Sequence, residues 1–149
     1  MAIGGCFCGN IRVESTAEPI ASGVCHCYDC RKLTGCLSTI NFIFKTTDLK
    51  ITGTPKGVSK TADSGNHLKN FFCPDCGTPL YGGSVNSSGT LAETIVVRAG
   101  IFDDLEELDA RKPQLEIFTN GRVKWVEPIE GAAQFTKSPP SYSTPTEIP

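Results

Sequence analysis

Two short stretches organise the chain: GCFCG at residues 5–9 and CPDCG at residues 73–77. Each stretch places two cysteines one or two residues apart, with glycines beside them. Sulfur atoms at this spacing converge readily on one ion, and a structural zinc site takes four such ligands in a closed tetrahedron. The four cysteines of the two stretches are therefore predicted to share one structural zinc ion: Cys6, Cys8, Cys73 and Cys76.

A second candidate metal site follows from Cys25, Cys27 and Cys30, which lie within one six-residue stretch. Three protein ligands with a fourth position left open are the pattern of a catalytic zinc. Either Cys36, just beyond the bend at residue 35, or His26, between the ligands, could instead complete the coordination shell. The spacing alone gives equal weight to a site with an open fourth position and a site closed by one of these two residues.

The cysteine count also permits a different interpretation, since the eight cysteines could form disulfides in a secreted protein. Two observations argue against it. The first cysteine is residue 6, which leaves no room for a signal peptide before it. The C-x-C and C-x-x-C spacings suit metal ligands and would strain adjacent disulfides. We therefore expect an intracellular, cytoplasmic zinc protein.

Composition restricts the classes of partner. The chain has 149 residues, 39% of them hydrophobic, and a net charge of −2 without any cluster of Lys and Arg. A nucleic-acid interface needs such a cluster, and a membrane span needs a long apolar run that is absent here. We expect one zinc-binding domain at residues 1–137, a Pro/Ser/Thr-rich tail at residues 138–149, and a small-molecule substrate. The oligomeric state is not predicted.

Hydrophobic patterning predicts a mainly β protein with very little helix. About one or two helical turns are expected at residues 29–35, ended by Gly35, and a short helix or turn at 102–108. The polar segment 56–66 is predicted to be a turn or loop. The predicted strands are residues 11–14, 37–44, 49–51, 67–72, 94–99, 115–118 and 123–126.

The ligand type of the three-cysteine site indicates its chemistry. Three thiolates leave a zinc ion with a formal charge of −1, which weakens its Lewis acidity relative to a three-histidine site. Such an ion favours a soft incoming ligand, above all another thiolate. The site therefore suits thiol activation, formation of thiol adducts or cleavage of a carbon–sulfur bond.

The cysteine-containing stretches resemble the glutathione-dependent formaldehyde-activating enzyme family, which also includes centromere protein V. The similarity is carried by residues 5–9, 25–35 and 72–78, continues through 99–104, 117–118 and 124–125, and extends to about Thr136. It implies a β-tent fold of antiparallel sheets with two zinc ions. By position, the C-x-C and C-P-D-C cysteines match the structural site, and the three-cysteine cluster matches the catalytic site with its open fourth position.

The activity that the resemblance implies joins glutathione to formaldehyde, formally a carbon–sulfur lyase reaction in reverse. Glutathione would then be a co-substrate. One departure from the family pattern is Cys36, where relatives have a small residue that does not bind metal. Cys36 could therefore still be the fourth ligand of the metal, although the resemblance favours a site whose fourth position is open.

Other residues have weaker signals. His26 is expected to make a hydrogen bond close to the metal rather than to shuttle protons. Arg31 and Lys32 are candidates for contacting a carboxylate of a thiol substrate, although two basic residues on a short helix are more often simply solvated. For Phe118 and Trp125 we expect packing in the core rather than a role as pocket walls.

Three functions remain open on these grounds. The first is a zinc enzyme acting on a glutathione adduct of a small aldehyde or related electrophile. The second is a zinc Lewis-acid enzyme that carries out elimination, cyclisation or isomerisation of another small metabolite. The third is a non-enzymatic zinc module that binds a protein partner.

Overall fold

A computed structural model describes residues 2–62 and 65–139, so most of the predicted tail, residues 140–149, lies outside the described residues. The predicted mainly β class is confirmed. None of the helices in the described part of the chain is long and apolar enough to cross a membrane. The strands are β1 Ile3–Gly5, β2 Arg12–Ser15, β3 Ala21–Cys25, β4 Thr39–Lys45, β5 Leu49–Thr52, β6 Lys56–Thr61, β7 His67–Phe72, β8 Pro79–Ser84, β9 Thr94–Arg98, β10 Leu115–Ile117 and β11 Ala133–Gln134.

The helical segments are short. They are α1 Tyr28–Thr34, α2 Leu105–Asp109 and the 3-10 turns Thr46–Asp48, Ala99–Ile101 and Thr119–Gly121. The strands form a three-stranded sheet in the order β1-β2-β5 and an eight-stranded sheet in the order β11-β10-β3-β4-β9-β8-β7-β6.

The expectation of antiparallel sheets needs one correction. Strand β10 pairs in parallel with β3 on one side and with β11 on the other, whereas the other strand pairs are antiparallel. A parallel pair needs a long crossover connection, and the intervening residues between β3 and β10 supply it. This pairing brings the segment 115–117 directly beside Cys25.

The two faces of the large sheet have different roles. One face, with Phe42, Phe44 and Val97, packs against Val13 of the small sheet and against Phe102 to form the main core. Each of these side chains is at least 95% buried, and burial of one such side chain contributes roughly 1.5–3 kcal/mol. Because side chains alternate along a strand, the residues between them point to the opposite face, where the candidate site lies.

The segment 56–66 is only partly the predicted loop, because Lys56–Thr61 forms strand β6. All six residues are exposed, so the strand has no apolar alternation to reveal it. It is an edge strand held by its full register with β7. Strand β8 was not predicted either, since Gly82 and Gly83 lower its strand propensity.

The predicted strand at residues 123–126 is wrong, and so is the expectation that Trp125 packs in the core. A hydrogen bond from the backbone N–H of Val126 to the carbonyl of Val123 closes a turn there, and Trp125 is 73% exposed. Strand β10 ends one residue earlier than predicted because Phe118 adopts a left-handed backbone conformation, with φ of 55°. Phe118 is half-buried and packs against the small buried cluster of Cys25, Leu115 and Ile117.

Candidate metal centres

The four cysteines predicted to form the structural site lie together. Their sulfur atoms are all within 4.8 Å of one another, with 3.5 Å between Cys6 and Cys8 and 3.7 Å between Cys8 and Cys73. A tetrahedral zinc ion with bonds of about 2.3 Å to sulfur sets its ligands about 3.8 Å apart. The four thiols of Cys6, Cys8, Cys73 and Cys76 therefore fit one zinc ion with a closed shell.

The first half of this centre is a tight turn after β1. Gly9 takes a left-handed conformation, and its N–H donates to the carbonyl of Cys6 at 3.0 Å. The N–H of Ile11 then points at the Cys6 sulfur, 3.2 Å away. Such a donor favours the thiolate that a metal requires. Asn10 donates from its side chain to Asp75 at 2.8 Å, which joins this turn to the other half of the centre.

The second half is a similar turn after β7, closed one residue further along than the first. Gly77 is left-handed, and its N–H donates to the carbonyl of Cys73 at 2.9 Å. The Thr78 hydroxyl lies 3.2 Å from the Cys76 sulfur and accepts a hydrogen bond from the N–H of Phe7 at 3.1 Å. Backbone and side-chain contacts thus hold the two turns together around the four sulfurs.

The three-cysteine cluster is built where β3 passes into α1. Cys25 is buried at the end of β3, and the sulfur of Cys27 caps the helix by accepting from the N–H of Cys30 at 3.3 Å. The helix ends as predicted at Gly35, which is left-handed and donates to the carbonyl of Arg31. The sulfurs of Cys25, Cys27 and Cys30 lie within 4.8 Å of one another and could hold a metal ion.

The pKa values of the three thiols are also consistent with a metal site. Contact with the thiols of Cys25 and Cys27 lowers the pKa of Cys30, whereas contacts with Cys27 and Cys30 raise the pKa of Cys25. One sulfur therefore ionises readily while its neighbours retain their protons. A bound cation takes the place of those protons, so we expect the affinity for metal to fall as the pH is lowered.

Neither of the two suggested fourth ligands belongs to this cluster of sulfurs. Cys36 is exposed beyond the end of α1, where its N–H donates to the Thr34 hydroxyl at 3.3 Å. His26 is buried, but its Nε2 atom lies 2.6 Å from a carboxylate oxygen of Glu116. Among residues 2–62 and 65–139, the cluster therefore consists of three cysteines.

Glu116 was not found from the sequence and is the centre of a buried network. Its carboxylate accepts hydrogen bonds from His26 Nε2, from Arg122 Nη1 at 3.0 Å, from the N–H of Ile129 at 2.5 Å and from the Gln134 amide at 3.2 Å. Because a carboxylate only accepts, Nε2 of His26 carries the proton. The network therefore fixes the position of His26, which lies between Cys25 and Cys27 in the sequence.

Replacing Glu116 with Gln is expected to lower the free energy of unfolding at pH 7 by about 3 kcal/mol, because a buried network loses its charge. Burial opposes ionisation, but the donated hydrogen bonds outweigh it and lower the pKa of Glu116 to about 2. A folded-state pKa below the unfolded value means that this stabilisation is present above about pH 4.5 and fades as the pH falls toward 2.

Urea unfolding of the wild type and the Glu116→Gln variant across this pH range tests the prediction. Both proteins are expected to lose metal in acid, and this effect cancels in the difference between their free energies of unfolding. Glu130→Gln, an exposed change in the neighbouring segment, is the matched control and should cost less than about 0.5 kcal/mol. A Glu116→Gln difference as small as the control, or one independent of pH, would contradict the network's role.

A cavity of about 140 Å³ opens beside the three-cysteine cluster, on the face of the large sheet opposite the main core. Cys25 and Cys30 form part of its wall. The polar residues in the rest of its lining include Asn41, Asn70 and Arg98, and most of the other lining residues are aliphatic or glycine. The cluster therefore faces a partly open cavity of a size suited to a small molecule.

Arg98 is the buried cation of this cavity and was not singled out from the sequence. It is 8% exposed, and its guanidinium donates to the side-chain oxygens of Asn41 at 2.7 Å and Asn70 at 3.1 Å. Its Nε atom has no hydrogen-bond partner. The sequence pattern that could have identified Arg98 is a charged residue directly after the apolar residues 95–97 of a strand. Glu116 shows the same kind of pattern, since it lies between Leu115 and Ile117.

Arg31 and Lys32 are not part of the cavity lining. Lys32 lies with its ammonium 5.6 Å from the centre of the exposed Tyr28 ring, and Arg31 is half-buried. Their contact with a thiol substrate stays a prediction.

Comparison with known proteins agrees with this geometry. A crystal structure of a Rhodobacter sphaeroides protein matches with a TM-score of 0.52 at 21% identity, covering 74% of this chain and 96% of that chain, which shows a shared fold. No curated protein matches the sequence. The family model described as glutathione-dependent formaldehyde-activating enzyme matches residues 1–121, a range that contains both cysteine clusters, Arg98 and Glu116. The chain therefore belongs to the glutathione-dependent formaldehyde-activating enzyme family.

Proposed function

We propose that the chain is a zinc-dependent enzyme of carbon–sulfur lyase type, which joins a thiol, in the first instance glutathione, to a small aldehyde and runs the reverse cleavage. The observation that carries the proposal is the cluster of three cysteines beside a cavity, with no fourth ligand among the described residues. Family membership supports glutathione and formaldehyde as the reactants to test first.

The reaction balances without an oxidant or reductant. When bound, a zinc ion held by three thiolates supplies an open position that favours an incoming thiolate. As the thiol sulfur adds to the aldehyde carbon, a carbon–sulfur bond forms. The π electrons of the carbonyl move to its oxygen, which takes the proton that the thiol gives up. The reverse reaction breaks the same bond and regenerates thiol and aldehyde.

The chain itself positions the ligand cysteines and shields one reactant from water. Strand β3 is buried along its whole length and holds Cys25, while the hydrogen bond between His26 and Glu116 fixes the backbone that leads to Cys27. The largely apolar cavity places one reactant next to these ligands and reduces its contact with bulk water. Holding two reactants in contact removes much of the entropic barrier to their combination.

A protein in which both sites contain Co²⁺ tests the open position directly. We expect millimolar glutathione to change the visible absorption of the three-cysteine site, because a fourth sulfur enters its coordination shell. The closed four-cysteine site should contribute an unchanging background. S-methylglutathione, which has no free thiol, is the control ligand and should change nothing.

Cys36→Ser is the matched protein control, since this exposed cysteine lies outside both clusters and the variant should respond as the wild type does. No change with glutathione would contradict the thiol function and favour a Lewis-acid enzyme for another metabolite or a non-enzymatic module. Loss of the response in Cys36→Ser would show that Cys36 takes part in the metal site after all.

A further inference from the structure

The cavity suggests what kind of electrophile the site accepts. Building on the proposed function, we infer that the cavity beside Cys25 and Cys30 takes a short-chain oxo acid, whose carboxylate binds Arg98 while its carbonyl faces the cysteines. The substrate class would then be small acids with an aldehyde group rather than formaldehyde alone. The inference rests on the charge, the size and the construction of the cavity.

No carboxylate among the described residues matches the charge of Arg98. The two asparagine oxygens that bind its guanidinium are neutral, and in the described part of the chain no carboxylate lies within ion-pair distance of it. A buried cation is costly unless it is paired. A carboxylate is the partner whose planar geometry fits a guanidinium best, so a bound acid would complete the site.

The sulfurs offer a competing explanation for this cation. Arg98 lies close enough to Cys30 for its positive charge to stabilise the thiolate. If this were its whole role, Arg98 would affect the metal site but would give no preference for an acidic over a neutral ligand. The two explanations therefore differ in a measurable way.

The size of the cavity also favours an electrophile larger than formaldehyde. An apolar cavity of about 150 Å³ holds benzene, which has about six non-hydrogen atoms. The cavity here, about 140 Å³, has room for a molecule of that size. Formaldehyde would leave most of it empty. The space therefore suits an aldehyde with a short chain.

The position of Arg98 is built into the sheet. Asn41 lies directly opposite it in the pairing of β4 with β9, and Asn70 reaches it from β7. Asn70 has room only because residue 82 is glycine, since a Cβ there would lie 2.3 Å from the Asn70 side-chain oxygen. Two asparagines and one obligatory glycine thus hold the guanidinium at the cavity.

Calorimetric titration of the zinc-loaded protein with butyrate and butyramide tests the inference. The two probes have the same size and differ in charge. We expect butyrate to bind at least about tenfold more tightly, as a charge-assisted hydrogen bond to a buried guanidinium would require. Arg98→Gln should remove the preference and Arg98→Lys should keep part of it. If Arg98→Gln fails to fold, Arg98→Lys carries the test, because a weakened preference in that variant is expected only where the carboxylate contacts residue 98.

Equal binding of the two probes, or binding of neither at millimolar concentration, would overturn the inference. So would a preference for butyrate that survives in Arg98→Gln, because the carboxylate would then be held by the metal. A response to glutathione without a preference for butyrate removes the role of Arg98 and leaves the thiol function standing. A preference for butyrate without a response to glutathione supports the acid site and removes the thiol function.

Kinetics provide the second readout. With glutathione as the thiol, we expect the wild type to favour glyoxylate over acetaldehyde by about tenfold in kcat/KM, and Arg98→Gln to lose that ratio. An equal fall for both aldehydes in Arg98→Gln would indicate that Arg98 serves only the metal site, and would overturn the inference.

Discussion

Replacing Cys73 with serine is expected to leave the chain unfolded or aggregated. Cys73 is fully buried, and its sulfur lies 3.7 Å from that of Cys8, which is 65 residues away in sequence. Binding of a structural zinc releases about 10–16 kcal/mol, which matches or exceeds the total stability of an ordinary domain, about 5–15 kcal/mol. Because an ion held by these four sulfurs would join the start of the chain to its middle, losing one ligand is expected to remove most of the energy that holds the fold together.

Circular dichroism, size-exclusion chromatography and the zinc content of the purified protein measure this outcome. Cys36→Ser is the matched control, because it removes an exposed thiol outside both clusters and should leave two zinc ions per chain and an unchanged melting temperature. A Cys73→Ser protein that stays monomeric with the wild-type melting temperature would show that the four-cysteine centre does not support the fold.

The two cysteine clusters could be predicted because their ligands are close in sequence. Each pair or triple spans three to six residues. A count of four ligands per closed zinc site was enough to associate Cys6 and Cys8 with Cys73 and Cys76. The structure brings these sulfurs together as expected. The helix that follows Cys27 was also predictable, since Gly35 marks its end locally.

The surroundings of the second cluster could not be predicted in the same way. His26 and Glu116 are 90 residues apart, and Asn41 and Arg98 are 57 residues apart, so no local pattern connects them. Their contacts depend on which strands are neighbours in the large sheet. The parallel pairing of β10 with β3 decides the first contact, and the antiparallel register of β4 with β9 decides the second.

The failed secondary-structure predictions have a related cause. Strand β6 is exposed along its length, so only its partner β7 determines its conformation. Residues 123–126 have the apolar and aromatic composition of a strand, yet the fold offers them no partner, and Trp125 remains on the surface. Composition predicts strands well where a face is buried and poorly where pairing alone decides.

Replacing Cys27 with serine should abolish catalysis while preserving the fold, in contrast to Cys73→Ser. Cys27 is only half-buried, and its sulfur has two roles: it belongs to the three-cysteine cluster, and it caps α1 by accepting from the N–H of Cys30. Serine is among the best helix-capping residues, so the start of α1 is retained. Its hydroxyl is a poor replacement for a thiolate on zinc, and we expect one zinc ion per chain and at least a hundredfold lower rate of adduct formation.

Cys27→Ala separates the two roles of this side chain. Both variants lose the metal ligand, so both should lose activity and zinc from the second centre. Only the alanine variant also loses the helix cap, which should cost about a further 1 kcal/mol in the free energy of unfolding. Zinc content, melting temperature and the rate of adduct formation from glutathione and formaldehyde distinguish these effects. If Cys27→Ser unfolded as completely as Cys73→Ser, the second centre would be as structural as the first, and the division between a supporting and a reactive metal would fail.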